Sequence, residues 1–296
     1  MAEVSAEMEL NSFWYLYATN GTDGFLLDLI RRPPSAVARL AVYSATKAPI
    51  VLRETLPVDQ LQGEDGGLNV SMGSLALTPT GCHGRLGGIS LDIQTELNGG
   101  SIAFVPRWLH NLFGFVPLFS SHYGRLAGGR CQDVTYGELP LVYSTYQVSN
   151  IARSRWYIIS ASQFEGSDLV FEISASKIAG IWGTSAYIRY LGREYKLNSP
   201  LSSLFIFRTR HDGEIIDGKR VFDVSIRSPL IRVDVRASAP TSDFVMLERE
   251  GTTEINTTVF GDCEAVVTLR GTNSNASTNR FEAKRTCLLE IKNEAP

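Results

Sequence analysis

The sequence predicts an all-β protein with many antiparallel strands and few short helices. Short runs rich in Val, Ile, Leu, Tyr and Phe recur along its 296 residues, with glycine and polar residues between them. Alternation is clearest in LIRVDVRAS, residues 230–238, where Ile231 and Val233 point to one face and Arg232 and Asp234 to the other. One apolar and one polar face per strand is typical of an antiparallel sheet that is covered on one side.

The first predicted hairpin lies in NSFWYLYATNGTDGFLLDLI, residues 11–30. Its turn falls at Asn20-Gly21 and Asp23-Gly24, because these residue types tolerate the backbone angles of tight turns. Alternation places Tyr15 and Tyr17 on one face of the first strand and Trp14 on the other. We expect Trp14 in the core and the two tyrosines nearer to a ligand.

The remaining elements follow the same pattern. Apolar or alternating runs predict strands at 38–44, 154–164, 168–176, 185–192, 203–210, 220–228 and 264–270. PRWLHNLFG, residues 106–114, predicts a short helix with proline in its first turn and a glycine cap. A Trp-containing strand, a turn and an apolar strand occur both near residue 14 and near residue 156, which indicates two similar halves. We therefore expect an N-terminal β domain over 1–148 and a C-terminal β-barrel domain over 149–296.

Composition excludes several classes of protein. The net charge is −3 and the basic residues are scattered, so we expect no nucleic-acid partner. No run approaches the about 18 apolar residues of a membrane span, and the N-terminus lacks a signal-peptide pattern, which favours a cytoplasmic protein without stable membrane insertion. The sequence does not predict an oligomeric state.

Cofactor motifs are also missing. The four histidines lack metal-ligand spacing, and the glycine-rich strings lack the residues of a nucleotide-binding loop, so we expect neither a metal site nor a cofactor. The last predicted hairpin brings Cys263 and Cys287 onto neighbouring rungs. A disulfide and two reduced core thiols are both compatible with that placement.

Residues 104–132 form an unusually apolar segment that turns polar at Ser120. It is either a plug that closes one end of a barrel or a lid for an apolar ligand. In the second interpretation, Trp108, Phe119 and Tyr123 contact the ligand, and His122 moves a proton near neutral pH.

Glu172 is a single acid within the apolar run DLVFEIS, on the face opposite Phe171. It is either a solvated carboxylate on the wet face of a strand or an inward carboxyl with a raised pKa that acts as a general acid. Trp156 and Trp182 are either core residues or walls of an aromatic cavity. We predict His122 and Glu172 as catalytic residues and both tryptophans as substrate-binding residues.

The order of these elements resembles a known family. The opening SFWYLYATNGTDGFLLDLIRRPP, the strand WYIISASQF from Trp156 to Phe164 and the following DLVFEI resemble in pattern the AttH/carotenoid-hydratase and tocopherol-cyclase-like proteins. That group includes decalin-forming Diels–Alderases of polyketide pathways. The resemblance implies two lipocalin-like β domains and cofactor-free chemistry on a polyene, polyketide or isoprenoid.

The sequence departs from this group at one place. Hydratase-type members carry a cluster of Tyr, His and Asp before the middle tryptophan, whereas LVYSTYQVSN, residues 141–150, has neither His nor Asp. This argues against hydration by that cluster and leaves Tyr143, Tyr146, Gln147 and Asn150 as hydrogen-bonding residues. We expect a cofactor-independent cyclase or isomerase in natural-product biosynthesis, with a non-catalytic lipid or isoprenoid carrier as the alternative.

Overall fold

A computed structural model of the chain describes residues 10–44, 46–64, 67–98, 118–149, 155–178, 181–197, 207–250, 252–269 and 277–294. Strands dominate these residues, and the helical elements among them are two short 3-10 turns at Val58–Gln60 and Thr241–Asp243. The all-β prediction is therefore confirmed. In the described part of the chain, no helix is long and apolar enough to cross a membrane. The helix predicted at 106–114 lies outside the described residues.

Among the described residues, twelve strands form the first sheet, and all neighbouring strands in it are antiparallel. They are β1 Leu10–Thr19, β2 Gly24–Arg32, β3 Ser35–Ser44, β4 Lys47–Pro57, β5 Leu61–Gly63, β6 Val70–Met72, β7 Leu75–Thr78, β8 Gly81–Leu86, β9 Ile89–Leu97, β10 Leu118–Cys131, β11 Val134–Tyr136 and β12 Leu139–Ser149. The order is β4-β3-β2-β1-β12-β10-β9-β8-β7-β6-β5, with β11 paired to β10.

In the part of the chain that the structure describes, ten strands form the second sheet. They are β13 Arg155–Ala161, β14 Val170–Ile178, β15 Ile181–Tyr190, β16 Arg193–Leu197, β17 Phe207–Ile216, β18 Lys219–Arg227, β19 Ile231–Pro240, β20 Val245–Glu250, β21 Thr253–Leu269 and β22 Ser277–Glu294. The order is β16-β15-β14-β13-β22-β21-β19-β18-β17, with β20 paired to β21.

Each sheet curls around its own apolar core, one as a nearly closed barrel and the other as a half-barrel. Trp14 lies fully buried in the first core, as predicted, and its indole nitrogen donates to the carbonyl of Gly67 at 2.9 Å. The second core contains Phe171, Ile173 and the inward residues of β19. The alternation predicted for 230–238 is confirmed, because Ile231 and Val233 are buried there.

The hairpin of β1 and β2 forms as predicted. The side-chain oxygen of Asn20 accepts hydrogen bonds from the backbone N–H groups of Thr22 at 3.0 Å and Asp23 at 2.9 Å. Gly21 has a φ of 91°, a backbone angle that side chains disfavour and glycine adopts freely. Cys263 and Cys287 are free buried thiols in the second core, so the structure supports the reduced alternative.

A third apolar cluster lies between the two sheets, and we call it the interface cluster. It consists of Tyr15, Tyr17, Leu26, Ala41, Tyr43, Tyr123, Val142, Val170, Tyr187, Leu247, Ile255, Val259, Phe260 and Leu288. Hydrogen bonds also cross this interface: Tyr17 donates to the hydroxyl of Ser160 at 2.9 Å, and Gln163 donates to the carbonyl of Thr19 at 2.9 Å. Both faces of the central strands are therefore covered, one by their own core and the other by the opposite sheet.

Candidate functional site

Glu172 lies at the interface between the two sheets. It is on β14 beside Ser160 of β13 and Tyr187 of β15, on the face opposite to Phe171 and the second core. The sequence suggested either a solvated carboxylate or an inward one, and neither describes this environment. The side chain of Glu172 points away from the core of its own sheet, and the other sheet buries it. Its exposed fraction is 2%.

Three hydroxyl groups of the first sheet surround the Glu172 carboxyl. Ser121 Oγ donates to Oε2 at 2.8 Å, Ser144 Oγ approaches the same oxygen at 3.4 Å, and the Tyr146 hydroxyl donates to Oε1. The hydroxyl oxygens of Ser121 and Ser144 also lie 2.6 Å from each other. These residues come together because β10 and β12 pair with Ser121 opposite Ser144, on the face that meets the second sheet.

Burial controls the acidity of this carboxyl. Loss of solvation raises the pKa of Glu172 to about 7, although hydrogen bonds from Tyr146, Ser121 and Ser144 act in the lowering direction. The group is therefore near half-protonation at neutral pH, which is the condition under which a carboxyl can both donate and accept a proton. Burial, followed by the nearby Glu172 charge, raises the pKa of Tyr123, so that phenol stays protonated.

A buried group of charged residues lies farther along the same interface. Arg39 of β3 pairs with Asp28 of β2, and its second guanidinium nitrogen lies 3.4 Å from Glu248 on β20. Glu290 of β22 has one carboxyl oxygen 3.9 Å from Arg39. Asp28, Arg39, Glu248 and Glu290 are each at most 3% exposed.

Burial also shifts the acids of this group. It raises the pKa of Asp28 to about 6, against the lowering effect of Arg39. It raises the pKa of Glu290 to about 8, where Arg39 again opposes the shift and Asp28 and Glu248 add to it. The sequence prediction missed these residues. The available signal was the one that singled out Glu172, a lone charged residue within an apolar strand, as in GFLLDLI and AVARLAVYS.

Besides Glu172, the structure brings five of the predicted residues to this interface. Tyr15, Tyr17 and Tyr123 belong to the interface cluster, and Tyr146 and Trp156 pack against it. Their roles toward a substrate stay predictions.

The other predicted residues lie elsewhere. Tyr143 is in the first core and donates to the carbonyl of Leu68 at 2.8 Å, while Trp182 packs on the second core against Tyr157. Trp108 and Asn150 are outside the described residues, as is the side chain of Phe119.

His122 is not brought to Glu172. It is paired with Tyr143 across the strands, on the face of β10 opposite to Ser121, and its ring nitrogen lies 3.3 Å from the hydroxyl of Ser120. Partial burial lowers its pKa, which favours the neutral imidazole. A joint acid–base role for His122 and Glu172 would therefore need a substrate that reaches both faces of β10. Among the described residues, no group of three or more His, Cys, Asp or Glu side chains could hold a metal ion.

Comparison with known proteins gives similarity at the level of structure. No protein-family model matches the sequence, and no curated protein matches it either. The structure is similar to that of an AttH protein from Nitrosomonas europaea, with a TM-score of 0.54, 11% identity and coverage of 96% of this chain and 93% of that one.

Two further structures are similar to a comparable degree. Kievitone hydratase from Nectria haematococca gives a TM-score of 0.53 at 12% identity, over 96% of this chain and 89% of that one. CghA gives a TM-score of 0.53 at 11% identity, over 97% of this chain and 88% of that one. The expected resemblance is confirmed in the fold, over nearly the whole length of the chain. The chain therefore has the fold of the AttH-like proteins.

Proposed function

We propose that this protein is an enzyme that binds a large apolar polyene or isoprenoid between its two sheets and cyclises or isomerises it without a cofactor. The observation that carries the proposal is Glu172, a fully buried carboxyl with a pKa of about 7, held by three hydroxyls at the interface of the two sheets. Such a carboxyl is costly to bury, and perturbed acids of this kind are common where proton transfer occurs. The fold similarity to kievitone hydratase, an enzyme by its name, supports a catalytic role.

The surroundings of Glu172 suit an apolar substrate. Tyr17, Tyr123 and Tyr187 supply aromatic surface, and the rings of Tyr123 and Tyr187 are stacked with centroids 6.3 Å apart. Aromatic faces stabilise a developing positive charge. Holding a flexible chain in a reactive conformation can lower a barrier by roughly 7–11 kcal/mol in favourable cases.

A proton-transfer route can be written with these groups. Protonated Glu172 gives its proton to an alkene carbon or carbonyl oxygen of the substrate, and the resulting cation rearranges or closes a ring. The carboxylate then removes a proton from a neighbouring carbon, so the product is an isomer of the substrate and the acid is restored. Tyr146 and Ser121 hold the carboxyl in place in both states.

The test is an incubation with defined probes. Purified protein is mixed with geranylgeraniol, all-trans-retinol or a linear polyene alcohol, in H2O and in D2O, and the products are separated by chiral chromatography with mass detection. We expect an isomer of equal mass in H2O and one incorporated deuterium in D2O. Glu172→Gln should lower the rate by about 10²- to 10⁴-fold, the usual contribution of a general acid.

A matched control is Glu282→Gln, which changes an exposed glutamate on β22. It should retain the activity. Recovery of a bound but unchanged probe from the wild type favours the carrier instead. An isomer without deuterium, formed equally well by the Glu172 variant, would mean that shape alone drives the reaction and that the acid assignment is wrong.

A further inference from the structure

A row of polar residues crosses the face of the first sheet that meets the second. Ser121 of β10, Ser144 of β12, Tyr15 of β1, Asp28 of β2 and Arg39 of β3 are successive cross-strand partners. We call this row the polar band. Adjacent cross-strand partners have Cβ atoms about 5 Å apart, so the band runs about 20 Å across the sheet.

Three glutamates of the second sheet face the polar band. Glu172 contacts its serine end, as described above, and Glu248 and Glu290 contact its Arg39 end. Glu290 and Glu172 are on the same face of their sheet, because Glu290 pairs with Ile158 and Glu172 with Ser160, two residues along β13.

The middle of the band holds buried polar atoms without a protein partner. In the described part of the chain, the hydroxyl of Tyr15 and the Oε2 atom of Glu290 make no hydrogen bond, and neither do the hydroxyl of Tyr123, the Oδ1 atom of Asp28 and the Nε atom of Arg39. These side chains are at most 7% exposed. Leaving such groups unsatisfied is unfavourable, and the unpaired atoms point to a ligand oxygen between Tyr15 and Glu290.

Tyr15 and Glu290 differ in the hydrogen bond that each can make with that oxygen. Burial, followed by the nearby Glu290 and Asp28 charges, raises the pKa of Tyr15, so its phenol is a donor. Glu290 offers an acceptor when ionised and a donor when protonated. An alcohol satisfies both residues in either state, because a hydroxyl can accept from Tyr15 while it donates to Glu290.

The charge around the band decides against an anionic ligand. Asp28, Glu172, Glu248 and Glu290 are four buried acids, and the two terminal nitrogens of Arg39 are paired with Asp28 and Glu248, which leaves its Nε as the one unpaired donor of that group among the described residues. A further carboxylate would add a negative charge to this acidic environment and would have to be desolvated there.

Other guanidinium groups approach the interface from its more exposed margins. Arg32 and Arg53 both lie within 3.3 Å of Glu248. Arg189, which is half-buried, lies over the ring of Tyr123 at 5.6 Å from its centroid. Burial raises the pKa of Tyr43 and Tyr146, and the Glu290 charge adds to both shifts.

We infer that the ligand of this interface ends in a neutral hydroxyl or carbonyl and not in a carboxylate, and that Tyr15 and Glu290 are the specificity-determining residues that hold its oxygen. This inference rests on the proposed function, since it assigns the polar end of the same apolar ligand. The ligand class is a long polyene or isoprenoid alcohol, or the corresponding aldehyde or ketone.

The test compares two probes with one skeleton. All-trans-retinol and all-trans-retinoic acid differ at the end group, and their binding is followed through quenching of tryptophan fluorescence. At pH 9, above the pKa values of about 7 for Glu172 and about 8 for Glu290, both acids are ionised. We expect retinol to bind at least tenfold more tightly than retinoate under these conditions, and the preference to shrink at pH 6.

Two variants locate the effect. Tyr15→Phe removes an oxygen that has no protein partner, so the fold is retained, and retinol binding should weaken about fivefold, the usual effect of one hydrogen bond. Glu290→Gln should reduce the preference for retinol over retinoate at pH 9 at least threefold. Glu282→Gln, on the same strand but exposed, should leave both affinities unchanged.

The outcomes separate the two proposals. Equal affinity for retinol and retinoate at pH 9, or a preference that neither variant alters, would overturn the specificity assignment while leaving the binding of an apolar ligand intact. Absence of binding by both probes would contradict the proposed function, and the specificity assignment with it. If Glu290→Gln does not fold, the effect of Tyr15→Phe on retinol alone decides the assignment.

Discussion

Replacing Glu172 with glutamine should change how the stability of the protein depends on pH. The carboxyl has a pKa of about 7 in the folded protein and 4.5 as its ordinary value, because the folded protein removes it from water. Between these two values the folded state binds more protons than the unfolded state. Stability contributed by this group is therefore present at low pH and is lost as pH rises from about 4.5 to about 7, after which it is constant.

The size of the effect follows from the shift. One pKa unit corresponds to about 1.4 kcal/mol, so the shift of Glu172 corresponds to about 3 kcal/mol over the full range. From pH 5 to pH 8.5, the linkage relation predicts that ionisation of Glu172 lowers the free energy of unfolding by about 2 to 3 kcal/mol. Glutamine is isosteric with the protonated acid and does not titrate, so Glu172→Gln should become more stable relative to the wild type by this amount as the pH is raised.

The assay is urea unfolding at pH 5 and pH 8.5, followed by tryptophan fluorescence, for wild type, Glu172→Gln and Glu282→Gln. For each variant, the difference from the wild type in the free energy of unfolding is determined at both pH values. The change in this difference from pH 5 to pH 8.5 is the quantity that tests the prediction. Titration of Asp28 and Glu290 is common to all three proteins and cancels, as do pH-independent effects of the amide. A change below about 1 kcal/mol for Glu172→Gln, or an equal change for the Glu282 control, would refute the assignment of a raised pKa to burial.

Three further changes test the interface and the folds of the sheets. Arg39→Met should destabilise the protein by about 3 to 5 kcal/mol, because it removes the ion-pair partner of the buried carboxyl of Asp28. The double variant with Asp28→Asn should recover part of this loss in urea unfolding, and additive losses would contradict the pairing. Tyr17→Phe removes the hydrogen bond to Ser160 and should cost about 1 kcal/mol by the same measurement; no change in stability would show that this bond is matched by water in the unfolded chain. Gly213→Ala should lower stability by about 1 to 3 kcal/mol in thermal unfolding, because φ is 94° at this register irregularity of β17 and the added Cβ would lie 2.3 Å from a side-chain carbon of Ile291. A variant as stable as the wild type would contradict the need for glycine at this position.

The opening hairpin shows how far the sequence leads and where it stops. Its strands, its turn at Asn20 and the opposite directions of Trp14 and Tyr15 follow from local rules, which are alternation and turn chemistry. Local rules also identify Glu172 as unusual. They do not reveal that the polar face of its strand is covered, because that depends on a second sheet formed by residues distant in the chain.

The polar band shows the same limit of prediction from local sequence rules. Asp28 and Arg39 are opposite each other in adjacent strands, and this register is readable from the short turn between those strands. Their partners Glu248 and Glu290 are more than 200 residues farther along the chain. Such contacts are fixed by the packing of two sheets, for which a single sequence carries no local signal. The sequence therefore allows the charged residues within apolar strands to be recognised as unusual. It does not predict which of them contact each other across the two sheets.

The polar band also limits how the chain can be divided. A fragment with the first sheet alone, residues 10–149, would keep Asp28 and Arg39 but lose the partners that Arg39 has on β20 and β22, and it would expose Tyr15, Tyr17 and Tyr123 to water. The complementary fragment would expose three glutamates together with the apolar residues around them. Exposed apolar patches of this kind promote association. The smallest unit that folds as a monodisperse protein should therefore include both sheets. A chimaera that takes one sheet from a distant relative should fold when the residues of the other sheet that face it are taken from the same relative.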